Sequence, residues 1–163
     1  MPSTTSEELV GEYHSFLLVS EIDVPYSRIL KLQGEPAAGA AIVHNDQLAY
    51  ISDSLLWIPS FNPAKKMVGQ MGLNLFGLTV IQKDGAAVAE RILRAWTDLF
   101  GCGPSVLHLT GSYTFEPEGP PDGRYEEIVV ERAVMVDWLV QLESFCHRIA
   151  AGDGTDYLLH RGI

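Results

Sequence analysis

Apolar and polar positions recur along this chain with two periods, and the clearest change of period falls between Gly77 and Phe115. Gly77-Leu78-Thr79-Val80-Ile81 is a short, β-branched apolar run, the signature of a buried strand. Beyond it Val88, Ile92, Ala95, Trp96 and Leu99 return at helical spacing, while Glu90, Arg91, Arg94 and Asp98 fall off that stripe. Asp84 suits an N-cap, Gly101 suits the C′ position, and Pro104 prevents the helix from resuming. From Ser105 to Phe115 the period drops to two. Leu107, Leu109, Tyr113 and Phe115 are expected on one side, and His108, Thr110, Ser112 and Thr114 on the other. Paired in parallel, the two strands would make the helix a right-handed crossover.

The rest of the chain extends this pattern on both sides. Residues 1–8 read as a disordered lead, and residues 9–163 as one domain. Tyr13 to Ser20 is nearly all apolar, as a strand covered on both faces would be, with His14 a packed strand residue. Ser27 to Leu32 suggests a further strand. Ala40 to His44 and Leu48 to Ser52 read as a hairpin around Asn45-Asp46-Gln47. Leu55 to Phe61 is apolar but broken by Pro59, and Asn62-Pro63 predicts a short helix reaching Gln70. A second hairpin turns at 118–123 and returns from Arg124 to Val130. A last helix, 131–151, carries Met135, Trp138, Leu139, Leu142, Phe145, Cys146 and Ile149 on one broad stripe, and Gly152 follows at its C′ position. Asp153-Gly154 turns the chain into a closing strand, Tyr157 to Arg161. The expected fold is therefore α+β. A mixed or mostly antiparallel sheet of about five to seven strands carries the 85–100 and 131–151 helices on one face, with Trp96 and Trp138 in the core between them.

Charge narrows the partners. The 163 residues carry 21 acids against 11 bases, a formal net charge of −10. Nucleic-acid recognition needs clustered Lys and Arg on phosphates, and anionic membranes need the same, so neither is expected. A protein partner, if there is one, should be basic. The acids concentrate in the second hairpin: Glu116, Glu118, Asp122, Glu126, Glu127 and Glu131 stand against Arg124 and Arg132. The N-terminal residues show neither a basic n-region nor an apolar h-region, no run is long enough for a membrane span, and a cytoplasmic location with reduced Cys102 and Cys146 is expected.

Chemistry-bearing motifs are sparse. Five histidines (His14, His44, His108, His147, His160) and two cysteines show no CxxC, HxxxH or HExxH spacing, so no metal and no cofactor are expected. Cys146 and His147 are adjacent on a helix and point about 100° apart. Cys102 follows the C-terminal end of a helix, whose negative partial charge disfavours a thiolate. Gly111-Ser112-Tyr113 lies mid-strand and lacks the glycine pattern of a nucleophile elbow. Gly69-Gln70-Met71-Gly72 lacks the Lys-Ser/Thr of a phosphate loop.

The residues lead to a non-catalytic protein-binding domain, of which an immunity protein or antitoxin neutralising a basic toxin is the sharpest version. Its contacts would be Glu116, Glu118, Asp122, Glu126 and Glu127, with Tyr125, Trp57 and Phe61 as anchors. Two alternatives belong to other classes. One is a structural subunit, a homo-oligomer joined through Leu55 to Phe61. The other is a small-ligand binder or enzyme with a pocket at the sheet lined by His108, Ser112 and His160.

Overall fold

The computed structural model describes residues 12–20, 39–63, 67–115, 117–119 and 122–163, and for 67–69 only the backbone. The lead at 1–8 and the strand expected at 27–32 lie outside them. In chain order the elements are β1 (Tyr13–Ser20), β2 (Ala41–His44), α1 (Asn45–Tyr50), α2 (Ser52–Leu55), β3 (Pro59–Asn62) and β4 (Met67–Met71). There follow β5 (Leu78–Ile81), α3 (Lys83–Gly101), β6 (Val106–Thr114), β7 (Arg124–Glu131), α4 (Arg132–Ala151) and β8 (Asp156–Arg161).

The fold is α+β. Six strands form one sheet in the order β2-β1-β8-β5-β3-β4, every neighbouring pair antiparallel, and β6 and β7 form a separate two-stranded ribbon. The closing strand β8 is central, between β1 and β5, which explains its unbroken run Tyr157-Leu158-Leu159-His160, buried on both faces. Gly154, at φ 96°, makes the turn that delivers the chain from α4 to β8. The conditional parallel crossover from β5 through α3 to β6 is not formed. Among the described strands β6 pairs with β7 alone, from Val106↔Glu131 to Thr114↔Arg124 with one register slip between Thr110 and Tyr113.

Helices α3 and α4 are antiparallel neighbours. Glu143 and Glu90 each accept from Arg94 at 2.8 Å, Glu90 also meets His147 at 3.0 Å, and Lys83 donates to the Gly152 carbonyl at 2.6 Å. Their inward residues join Phe16, Ala41, Val43, Ile81 and Leu158 from one sheet face in the main core. The opposite face carries a smaller apolar cluster, Val19, Val80, Tyr157 and Leu159, with Phe61 against it. On α4 the expected stripe is the observed one: Met135, Trp138, Leu139, Leu142, Cys146 and Ile149 are buried. On α3 the buried edge is displaced. Ala86, Ala89, Leu93 and Phe100 are buried, Trp96 is half-buried, and Ala95 and Leu99 face out. Apolar residues cover more than half of this helix, so periodicity alone offers two stripes, and contact with α4 selects one.

Three local expectations are corrected. Residues 48–52 are not the return strand of a hairpin: Leu48, Ile51 and Leu55 recur at helical spacing, all three are buried, and α1 and α2 result. His44 caps α1 by accepting from the Asp46 amide at Nδ1 (3.2 Å). Residues 67–70, the described end of the helix expected over 63–70, are not helical either. The chain returns as β4 and pairs Met71 with Pro59 and Gln70 with Ser60, so cross-strand bonds replace the local ones a helix would have supplied. Gly152 caps α4 in an extended conformation and not a left-handed one.

Candidate functional site

Among the described elements the ribbon is the most exposed. Leu107 and Val130 are its buried residues; they stand opposite one another at its base, where β6 packs on α1. From Gly111 to Glu126 no described residue is buried. The strand pairing slips between Thr110 and Tyr113, with Gly111 set against Glu126 and Ile128, where a Cβ would be crowded. That slip moves Tyr113 and Phe115 off the inward row of Leu107 and Leu109. Both face solvent, 58 % and 61 % exposed, with Tyr125 at 64 %. Tyr113 is the cross-strand partner of Tyr125, its ring edge-on at 5.1 Å, and it lies so close over Gly123 that a Cβ there would meet it at 2.6 Å. Such a pair contributes about 0.2–1 kcal/mol to the ribbon. Two strands with no buried face at their outer end are marginal alone.

Around these rings Glu118, Asp122, Glu126 and Glu127 are all exposed. Glu127 bonds His108 Nδ1 at 2.7 Å, in a pair whose side chains are about two-thirds exposed. The structure places Tyr125, Glu126 and Glu127 on β7 and Glu118 and Asp122 in the connection that leads to it; Glu116 lies outside the described residues. It does not gather the two remaining anchors there. Trp57 sits 64 % exposed between α2 and β3, beside exposed Leu56, while Phe61 is half-buried against the second sheet cluster and is no exposed anchor. Tyr113 and Phe115 are exposed aromatic residues that the alternation concealed; the one sign of them in the sequence is a glycine inside a strand.

The pocket of His108, Ser112 and His160 is not assembled. His108 and Ser112 are exposed on the ribbon, and His160 is wholly buried in the six-stranded sheet. His160 instead bonds His14, and both sit on the helix-covered face. The void behind them, lined by Phe16, Leu93, Leu142 and Cys146, is apolar and holds about 20 Å³, too little for a ligand. A groove of about 380 Å³ runs along β2 and α4, where Tyr13, His44, Gln47, Asp137 and Gln141 border Trp138. Gln47 accepts from the Trp138 indole at 2.9 Å, and His44 faces Glu12 and Asp46 at 3.6 Å each. Among the groove's described lining residues the one hydroxyl is that of Tyr13, whose ring stands edge-on to His44 at 5.1 Å.

Elsewhere the reactive groups are quiet. Burial pushes the Cys146 thiol up to about 12, so it stays protonated, and Cys102 donates to the Asp98 carbonyl. Among the described residues, no three His, Cys, Asp or Glu side chains converge as metal ligands, and no helix is long and apolar enough to cross a membrane. Compared with family models, curated proteins and solved structures, the chain finds no match.

Proposed function

We propose that this is a non-catalytic protein-binding domain whose β6–β7 ribbon is its contact arm and whose partner is a basic protein. The observation that carries it is the cluster of Tyr113, Phe115 and Tyr125, exposed at the outer end of a ribbon that bears Glu118, Asp122, Glu126 and Glu127. Contiguous exposed apolar surface rimmed by polar groups favours association, and tyrosines ringed by charge are frequent anchors. The acids would steer a basic partner and the rings would hold it. Neutralisation of a basic toxin by an immunity protein or antitoxin is the version that best fits a net charge of −10.

Immobilised protein incubated with lysate of the source organism, washed at low and then high salt, tests this reading. A single stoichiometric basic protein is expected, retained by the wild type and lost both by E118K/E126K/E127K and by Y113A/Y125A. Equal retention by both variants would remove the arm from the interface. Capture of nothing at either salt would sink the reading.

A second reading has its own observation. Leu56, Trp57, Met71 and Phe76 are exposed at the β3–β4 side of the sheet, with Leu56 against Gly72. This patch suits a homo-oligomer. Light scattering would then give a dimer mass for the wild type and a monomer mass for W57S.

A further inference from the structure

Four side chains on four neighbouring elements, α1, β1, β8 and β5, and one backbone amide from the connection before β5 form one hydrogen-bonded line through the sheet. Asn45 Oδ1 meets His14 Nε2 at 3.0 Å, His14 Nδ1 meets His160 Nε2 at 3.0 Å, and His160 Nδ1 meets Thr79 Oγ1 at 3.4 Å. The Asn74 amide then donates to Thr79 Oγ1 at 2.7 Å. His14 and His160 are wholly buried, with rings near parallel at 5.2 Å and Phe16 against His160 at 4.7 Å. The two fixed ends set every proton. Asn45 Oδ1 can only accept, so a neutral His14 donates from Nε2 and accepts at Nδ1. His160 must then donate from Nε2 and accept at Nδ1 from the Thr79 hydroxyl.

From this arrangement we propose that His14 and His160 form a proton-sensing pair, which holds α1 against the sheet while both imidazoles are neutral and releases it when they are protonated. A first proton can enter only by reversing a bond, turning Thr79 from donor to acceptor. A second would set N–H against N–H between the two rings. Among the described residues neither charge finds a carboxylate. Burial lowers both, His160 to about 3 with the charge of His14 adding to the effect, and His14 against a smaller opposing pull from its Asn45 bond. Among the described residues, the other titratable groups packed about this line are Glu12, His44 and Asp46 at the surface beside α1, and Cys146 on α4, which lines one void with Phe16.

The part that can yield is α1. It has six residues, too few to stand as a helix unaided, and it begins at Asn45, the half-buried end of the line. It is held by Leu48 in the core, by Gln47 on Trp138, by Tyr50 against Trp96 and Phe100, and by His14 on Asn45. His44 caps its first turn by accepting from the Asp46 amide at Nδ1. The proposal stands whether or not the ribbon binds a partner.

The sign follows from linkage. In the open form each imidazole takes a proton at its ordinary value near 6.5; in the closed form it does so only at lower pH, so acid favours opening below about 6.5. Between pH 7.5 and 5.5 the opening equilibrium should rise about 100-fold if both histidines charge, and about 10-fold if one does. Hydrogen exchange of the α1 amides, corrected for the intrinsic pH dependence, reads this directly. The wild type and H44Q should both show a rise of about 10- to 100-fold, and H14Q/H160Q should be flat. Core amides of α4 should not follow. A flat wild-type response, an unchanged slope in H14Q/H160Q, or an equal rise in α4 would each overturn the proposal. Should the double variant not fold, nitrogen chemical shifts of the two imidazoles in the wild type decide the matter. Neutral rings in the closed form down to pH 5 are expected, and titration of either near 6.5 with α1 still protected would overturn it.

Discussion

Two histidine pairs in this molecule use the same ring in opposite ways. His14 and His160 share a 3.0 Å bond inside the sheet, where each proton is assigned by a neutral partner. His108 meets the Glu127 carboxylate at 2.7 Å on the outside of the ribbon, in water. Shorter does not mean stronger here. The exposed pair competes with solvent for every bond it makes, whereas the buried pair would leave an unsatisfied donor behind if one member were removed. The same contrast separates the bodies that carry them. The sheet and its two long helices derive their stability from burial, whereas the ribbon has one buried residue on each strand and leaves most of its side chains to solvent.

Substitution should expose that difference. Leu139→Ala, at a wholly buried position on α4, should lower unfolding free energy by about 2–5 kcal/mol in urea titrations, because it removes packed methyls and leaves a cavity. Tyr125→Ala on the ribbon should cost less than about 1 kcal/mol in the same assay. A comparable loss at Tyr125 would mean that the ribbon is part of the core.

Removing one ring of the buried pair comes next. His14→Ala at pH 7.5 should cost about 1–3 kcal/mol, since it leaves the His160 N–H and the Asn45 carbonyl without partners. The wild type should also lose stability as the pH falls below about 6.5 and continue to do so towards about 3, the value to which burial lowers His160. The unfolded chain binds protons there that the folded one refuses. Denaturant midpoints at pH 7.5, 6.5 and 5.5 should therefore fall in that order, and more shallowly for His14→Ala.

The smallest effect belongs to the exposed pair. His108→Ala and Glu127→Gln should each change stability by less than about 0.5 kcal/mol, and high salt should erase the change. A loss above about 1 kcal/mol would place this pair with the buried one and would weaken the assignment of Glu127 to a contact surface.

Much of the architecture was legible because its signals are local. The two long helices, the closing strand, the 106–131 hairpin and the burial of Trp138 all follow from periodicity and turn chemistry carried by neighbouring residues. The short elements were not. Residues 45–55 hold capping residues and an apolar spacing that fits two structures, and only packing of Leu48, Ile51 and Leu55 into the core chooses helix. Residues 67–71 became a strand because β3 was there to receive them. The candidate site divides in the same way. The acids and Tyr125 could be read from their concentration in one hairpin; Tyr113 and Phe115 could not, because a slip in pairing at Gly111 decides their side, and alternation assumes none.

The sequence by itself determined an acidic α+β chain with an exposed acidic hairpin, since charge, period and turn residues act over a few positions or over the whole sum. Tertiary structure alone decided that β6 leaves the main sheet, that Phe61 turns inward, and that His14 meets His160 across 146 positions. A hydrogen bond between residues so far apart leaves no periodic trace: each ring is one polar residue in an apolar strand until the sheet order sets the two side by side.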